Sequence, residues 1–186
     1  PTLVQSLLNH GFRNLRAFAR SSSDLTRLEA VARCRREEAR VEVIRGNPLS
    51  REDCDKATSG VAVIFHLATS GWKSFPDAFM NSVVTTRNLL KSSLTYTRLR
   101  RFVNVSSFAV YANRRKSHWR LLDETCQVED RPEQRGDAYC FAKVKQDEIV
   151  AEYGKNYGVP YVVVRPGYVY GPGKKAISGR VGLDTF

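Results

Sequence analysis

The sequence contains few of the residue types that hold metal ions. Of its 186 residues only three are histidines, and its four cysteines include no C-x-x-C pair. Because zinc sites draw on closely spaced Cys and His ligands, we expect no metal site. The thiols of Cys34, Cys54, Cys126 and Cys140 are scattered along the chain, which predicts a reducing, cytoplasmic setting.

Long apolar runs are also absent. No run approaches the roughly 20 apolar residues that cross a bilayer, and residues 1–10 lack the basic segment and apolar core of a secretory signal. We therefore expect no membrane partner. With 42% hydrophobic and 26% charged residues, the composition is that of a globular domain, and it excludes a collagen, a coiled coil, a disulfide scaffold and a disordered tail.

Acidic residues are outnumbered, 19 against 30 Lys and Arg, which gives a formal net charge of +11. A basic surface attracts nucleic acid, anionic lipid or phosphorylated small molecules. The basic residues are spread out, however, and the largest clusters lie at 35–36, 100–101 and 114–116. Aromatic residues are not interleaved with them as in a stacking platform for bases. We therefore expect a solvated basic surface and no nucleic-acid partner.

Short apolar segments alternate with helical patterns along the chain. Strands are predicted at 15–19, 41–44, 61–67, 102–105 and 161–164, and helices at 1–9, from Asp24, from the Ser50–Asp53 capping-box pattern, from Pro76 to Leu90, and at 139–157. This alternation predicts right-handed βαβ units and hence an α/β fold with a doubly wound parallel sheet. The runs VAVIFHL and YVVV are typical of strands buried on both faces of such a sheet.

Ligands of open parallel sheets bind at the carboxyl ends of the strands, so the residues after each strand are candidates for a site. Arg20 and Ser21 follow the first strand. If the sheet binds a dinucleotide, an acidic residue here would hold the adenosine ribose. An arginine with hydroxyls suits a 2′-phosphate instead, which favours NADP over NAD. The alternative is a solvent-facing arginine that caps a turn.

The later strands also end in candidate residues. Leu67, Ala68 and Thr69 are small or apolar and let a ligand approach the backbone, whereas His66 has no suitably spaced partner and is interpreted as structural. Ser107 and the serine before it either bond a substrate oxygen or form a turn. The segment RPGYVYGPG at 165–173 lets the backbone turn sharply and approach a flat ring, although it also fits a plain loop.

Tyr139 and Lys143 are four residues apart and so share one face of the last predicted helix. A phenol is a poor acid or base at neutral pH, but a neighbouring ammonium and a cationic nicotinamide ring both favour the phenolate. The pair therefore suits proton transfer to or from a substrate oxygen. With eight tyrosines in the chain, the alternative is two surface residues that have this spacing by coincidence.

Six stretches, in this order, resemble the extended short-chain dehydrogenase/reductase family, the NAD-dependent epimerase/dehydratase group. They are VEVIRGN, VAVIFHLAT, SVVTTRNLL, RFVNVSSFAVY, YCFAK and VVVRPGYVYGPG, and they cover nearly the whole chain. The resemblance implies a Rossmann-like fold, NAD or NADP as cofactor, and hydride exchange with a small-molecule substrate. It also implies a homodimer formed through the helices that contain Leu89 and Tyr139.

The resemblance assigns roles to individual residues. Tyr139 would be the general acid or base, Lys143 would favour its phenolate and hold the nicotinamide ribose, and Ser107 would hydrogen-bond the reacting oxygen. Together with Lys143, the cofactor-binding residues would be Arg20, Ser21, Asn47, Leu67, Ala68, Thr69, Ser82, Pro166, Gly167 and Val169.

The chain departs from the family pattern in several places. Asn47 stands where an aspartate usually contacts adenine, Ser82 where an asparagine is usual, and Thr85 and Ala112 where glycines are common. No G-x-x-G-x-x-G occurs, so the family's first strand and its phosphate loop are missing. That strand would lie between those at 15–19 and 61–67, where we expect an unfilled slot.

These departures define the expected domain organisation. Residues 1–171 are interpreted as an NAD(P)-binding domain that is incomplete at its N-terminus, and 172–186 as the start of a missing substrate domain. We expect this piece alone to bind dinucleotide poorly. The function implied is that of an NAD(P)-dependent epimerase, dehydratase or reductase acting on a nucleotide sugar or a related hydroxy or keto compound. A plain ketone or hydroxysteroid-type reductase is the alternative enzyme, and a non-catalytic dinucleotide-binding scaffold the alternative class.

Overall fold

The computed structural model describes residues 1–35, 37–69, 74–96, 98–112 and 121–169. The expected start of a substrate domain at 172–186 and the basic triplet at 114–116 lie outside these residues. The chain divides into two compact units, one of Pro1–Ala62 with Arg87–Arg98 and one of Val63–Thr86 with Leu99–Phe186. Each unit contains a parallel sheet of its own.

The first unit contains two parallel strands, β1 (Asn14–Ala19) and β2 (Arg40–Arg45), with Phe18 opposite Ile44. Its helices are α1 (Thr2–Asn9), α2 (Thr26–Cys34) and α3 (Arg51–Thr58). The predicted stop after α1 is confirmed, since Gly11 has a left-handed φ of 86° that favours glycine.

The start of α3 follows only half of the predicted capping box. Ser50 Oγ accepts a hydrogen bond from the Asp53 amide at 3.3 Å. The Asp53 carboxylate, however, accepts from the amide of Asn47 at 2.8 Å instead of turning back to Ser50. Glycine at position 46 lets the Asp53 side chain come this close to the backbone, because a Cβ there would lie 2.9 Å from Asp53 Cγ and from Phe18 Cε2.

Replacing Ser50 by alanine is expected to lower the free energy of unfolding by about 1 kcal/mol, the usual loss when a helix N-cap side chain is removed. Denaturant titration of the two proteins measures this change. Ser22→Ala, in an exposed loop, is the matched control and should change the stability by less than about 0.5 kcal/mol. Equal effects of both substitutions would contradict the capping role.

The second unit contains a three-stranded parallel sheet in the order β3 (Val63–His66), β4 (Arg101–Val105), β5 (Tyr161–Val164). Its longest helix is α6 (Ala138–Tyr157), which is capped by Asp137 and ends at Gly158 with a φ of 66°. The predicted helix from Pro76 to Leu90 consists of α4 (Phe75–Ala78), a π-helical segment (Phe79–Val84) and α5 (Thr85–Tyr96), of which residues 87–96 belong to the first unit.

The strands confirm an α/β fold with parallel sheets, and in the part of the chain that the structure describes they form two separate sheets. The prediction that β3 and β5 are buried on both faces was wrong. Val63, Phe65, Val162 and Val164 are 37–42% exposed. Side chains alternate across a strand, and among the described residues α6 packs only on the opposite face, that of His66.

Candidate active site

The carboxyl ends of β3, β4 and β5 lie along one edge of the second unit's sheet. The amide of Ser106 donates to Val164 O at 2.8 Å, and that of Phe108 to Pro166 O at 3.1 Å. The segments after β4 and β5 are therefore neighbours, and the residues after β3 follow the strand on the other side of β4. Three of the segments predicted to carry site residues, 67–69, 106–108 and 165–167, thus share this edge.

Lys143 reaches the same edge from α6. Its ammonium donates to Val105 O at 2.7 Å and to Gln146 Oε1 at 2.9 Å, and the residue is only 2% exposed. Burial lowers the pKa of Lys143 to about 8, and the nearby Asp147 charge partly opposes this shift. Among the described residues these are its two acceptors, so one of the three ammonium hydrogens is left for a ligand.

Tyr139 lies one helical turn before Lys143, and the Lys143 nitrogen is 5.9 Å from the centre of its ring. The tyrosine is half-buried in the first turn of α6, where Asp137 Oδ1 accepts from the amides of Tyr139 and Cys140. The predicted pairing of a phenol with an ammonium on one helix face is therefore present.

Ser107 caps a short 3-10 turn, Phe108–Val110, that packs against α6. Its Oγ accepts from the Ala109 amide at 3.2 Å, which leaves the hydroxyl hydrogen to donate elsewhere. The two interpretations of this serine, turn former and donor to a substrate oxygen, are thus compatible.

The buried carboxylate of Asp147 links α6 to β4 and to the segment after β5. Asp147, on α6, accepts from Asn104 Nδ2 at 2.8 Å, Ser106 Oγ at 2.9 Å and Arg165 Nε at 3.2 Å. Burial raises the pKa of Asp147, while the bonds and charges of Ser106 and Arg165 act in the opposite direction. Arg165 also donates to Tyr111 Oη at 3.2 Å. Sequence reasoning missed this network, although Asp147 lies one helical turn after Lys143.

The predicted cofactor-binding residues of the second unit differ in accessibility. Leu67 and Val169 are 50% and 59% exposed, and the space around Gly167 is open. Thr69 Oγ1 lies 3.3 Å from Ser82 Oγ, and Ser82 is fully buried in the π-helical segment. The exposed apolar groups and the remaining ammonium hydrogen fit the nicotinamide end of a dinucleotide.

The remaining cofactor candidates lie in the first unit. Arg20 and Ser21 are exposed directly after β1, and Asn47 Oδ1 accepts from the Leu49 amide at 3.0 Å. Sequence reasoning missed Arg45, which donates to Ser21 O at 2.8 Å and brings a second guanidinium to this loop. A basic residue at the end of β2 was the available signal.

Other kinds of site are not found within the described residues. No three His, Cys, Asp or Glu side chains there are grouped so that they could hold a metal ion. In the same part of the chain, no helix has the length and hydropathy needed to cross a membrane.

Comparison with known proteins identifies the family of this chain. Rice (Oryza sativa subsp. japonica) cinnamoyl-CoA reductase 1 is 30% identical over 177 residues, which are 91% of this chain and 50% of the reductase. Among solved structures, Bacillus cereus UDP-glucuronic acid 4-epimerase in complex with NAD has a TM-score of 0.67 at 23% identity, covering 92% of this chain and 54% of its own. Alfalfa vestitone reductase has a TM-score of 0.69 at 21% identity, with 88% and 51% covered.

The chain therefore spans about half the length of the curated reductases it matches. The two solved structures support the fold alone. The model of the NAD dependent epimerase/dehydratase family matches residues 1–182, nearly the whole sequence. This chain belongs to the NAD dependent epimerase/dehydratase family.

Proposed function

We propose that Ser107, Tyr139 and Lys143 form the proton-transfer site of an NAD(P)-dependent epimerase, dehydratase or reductase. The observation that carries the proposal is the buried Lys143 ammonium at the end of β4, one helical turn from the Tyr139 ring. Burying a cation is costly, and such groups concentrate where a reaction uses them. A non-catalytic scaffold would have no comparable need for Ser107, Tyr139 and Lys143 together.

The proposed chemistry follows from the donors that each side chain has available. A bound dinucleotide would supply hydride exchange with the substrate carbon. In the reducing direction the substrate oxygen takes the proton of the Tyr139 hydroxyl, while Ser107 donates a hydrogen bond to that oxygen. Lys143 stabilises the phenolate that remains and offers its third N–H to a ribose hydroxyl. The phenolate regains its proton from solvent, and the oxidising direction reverses these steps.

The substrate class proposed is a nucleotide sugar or a related hydroxy or keto compound. The 29% identity over 123 residues to the Arabidopsis thaliana trifunctional UDP-glucose 4,6-dehydratase, epimerase and reductase RHM1 supports the sugar nucleotide. The 30% identity to a cinnamoyl-CoA reductase favours, as a second candidate, a plain carbonyl reductase. Turnover of UDP-sugars with NAD, against reduction of carbonyl compounds with NADPH, distinguishes the two in the whole protein.

Tyr139→Phe tests the proposed role of the phenol. In the whole protein we expect turnover to fall by about 10²–10⁴-fold, the usual contribution of a positioned acid or base. The dinucleotide Kd should stay unchanged. The matched control is Tyr157→Phe, because Tyr157 is exposed at the far end of the same helix. Unchanged turnover in Tyr139→Phe would remove this residue from the mechanism.

We propose NADP over NAD as the preferred cofactor, because the loop after β1 carries Arg20 and is contacted by Arg45. Arg20→Ala should raise the Kd for NADPH about tenfold, or about 1.4 kcal/mol, and change that for NADH little, since only NADPH carries the 2′-phosphate. Fluorescence titration of the reduced cofactors measures both values. Arg27→Ala, on the exposed face of α2, is the matched control. Equal weakening of both cofactors would contradict the assignment.

Three further parts of the proposal concern the protein's context. We propose that residues 1–171 belong to the NAD(P)-binding domain and that 172–186 begin the substrate domain.

We propose that the protein dimerises through the helices that contain Leu89 and Tyr139. Sedimentation of the whole protein tests this oligomeric state. We also propose a reducing, cytoplasmic compartment, because the four cysteines at positions 34, 54, 126 and 140 are scattered along the sequence.

A further inference from the structure

A buried network of polar side chains joins Lys143 on α6 to His66 on β3 and Thr86 on α5. The Lys143 ammonium donates to Gln146 Oε1 at 2.9 Å, and Gln146 Nε2 lies 2.8 Å from Thr86 Oγ1 and 2.9 Å from His66 Nε2. Gln146 is fully buried and His66 only 3% exposed. Thr86 in turn donates to Ser82 O at 2.6 Å. Each side chain in this network is thus hydrogen-bonded to the next.

The Lys143 ammonium fixes the orientation of the Gln146 amide. An ammonium can only donate, so the oxygen of the Gln146 amide has to face Lys143 and its NH₂ group has to face Thr86 and His66. Thr86 Oγ1 lies 2.8 Å from both Gln146 Nε2 and His66 Nε2, so these three buried groups form a closed cluster that anchors the amide.

We infer that Gln146, anchored by His66 and Thr86, is a positioning residue that fixes the Lys143 ammonium at the end of β4 and controls its protonation. A lysine side chain has four rotatable bonds, and a hydrogen bond to the Val105 carbonyl alone would fix its ammonium at only one point. Gln146 supplies the second. The inference rests on the proposed function only in that Lys143 acts there on Tyr139 and a ribose.

Three other titratable groups of the described chain lie near Lys143. On α6 itself, Tyr139 and Asp147 lie one turn to either side, and Asp147 is paired with Arg165. From β3, His66 faces it and is neutral, since burial, with the Lys143 charge as a smaller cause, lowers the pKa of His66 to about 3.

Two other elements that pack on α6 carry charged side chains with partners of their own. On α4, Asp77 accepts from Asn81 Nδ2 at 2.8 Å. In the 3-10 turn Pro132–Arg135, Arg135 donates to Ala109 O at 2.8 Å. Gln146 is therefore the neutral group in direct contact with the ammonium that a substitution can convert to a charged one.

The test is a direct titration of Lys143 in the whole protein without dinucleotide, by NMR of ¹³C-labelled lysine, with the signal identified from Lys143→Arg. Gln146→Glu should raise the Lys143 pKa by about one unit or more, because a carboxylate favours the ammonium. Gln146→Ala should lower it, because an acceptor for the charged form is lost. Gln127→Glu adds the same charge at an exposed site and should leave the value unchanged.

A substitution that only loosened packing would not shift this pKa in opposite directions. Absence of a rise in Gln146→Glu, or an equal rise in Gln127→Glu, would overturn the inference. This readout does not depend on turnover, so failure here is distinguishable from failure of the proposed function.

Discussion

Asp147→Ala is expected to lower the free energy of unfolding by about 3 kcal/mol, among the largest effects of any single substitution in this chain. The change removes the Asp147 oxygens that accept from Asn104 Nδ2 and Ser106 Oγ, both buried, and leaves the Arg165 guanidinium without its carboxylate. The Arg165 side chain is 24% exposed, so solvent recovers part of the loss and the value lies at the lower end of the range for buried pairs.

Denaturant titration of the whole protein measures this change. Glu148→Ala is the matched control, because Glu148 follows directly on α6 but forms an exposed ion pair with Lys145. Such surface pairs contribute about 0–1 kcal/mol. If Asp147→Ala cost no more than Glu148→Ala, the three-way network would not hold β4, α6 and the segment after β5 together.

The protein is expected to lose stability steeply as the pH falls below about 6.5, and His66 is the cause. In the folded state burial, helped by the Lys143 charge, lowers the pKa of His66 to about 3, whereas an unfolded histidine titrates near 6.5. Between these values the unfolded chain binds a proton that the folded chain does not. The stability is therefore complete above about pH 6.5 and is lost towards pH 3, by about 1.4 kcal/mol per pH unit.

The difference in unfolding free energy between the wild type and His66→Gln, measured from pH 7 to pH 5, isolates this effect. We expect the wild type to lose about 2 kcal/mol more than the variant over that range. His10→Gln is the control, because it makes the same substitution at an exposed histidine. Lys143 titrates in a higher window, between its unfolded pKa near 10.5 and about 8, and does not interfere. Parallel pH curves for wild type and His66→Gln would contradict the account.

Local patterns predicted the elements well. The strands lie within two residues of their expected bounds because runs of β-branched and apolar residues such as VEVI and YVVV end at turn residues. The start of α3 at Ser50 and the end of the helix predicted at 1–9 were identified because such boundaries depend on neighbouring backbone groups alone. The parallel arrangement followed from the alternation of strands and helices.

Contacts between distant residues were beyond such reasoning. Asp147 meets Asn104 across 43 positions and Gln146 meets His66 across 80, and neither pair has a sequence pattern of its own. The π-helical turn at Phe79–Val84 carries no signal in a 3.6-residue period. The exposed face of β3 and β5 was mispredicted because an apolar run shows only what a strand is able to bury. In the same unit, α6 packs on the opposite face of the sheet.

Under the proposed function, the carboxyl edge of β3, β4 and β5 receives the reacting end of a dinucleotide beside Lys143 and Tyr139. A crystal structure of the whole protein with NADPH and a carbonyl substrate tests it most directly. We expect the nicotinamide ribose within hydrogen-bond distance of Lys143 Nζ, and the substrate oxygen at the hydroxyls of Tyr139 and Ser107. A dinucleotide bound away from this edge, with Lys143 still engaged only by Val105 and Gln146, would contradict the claim.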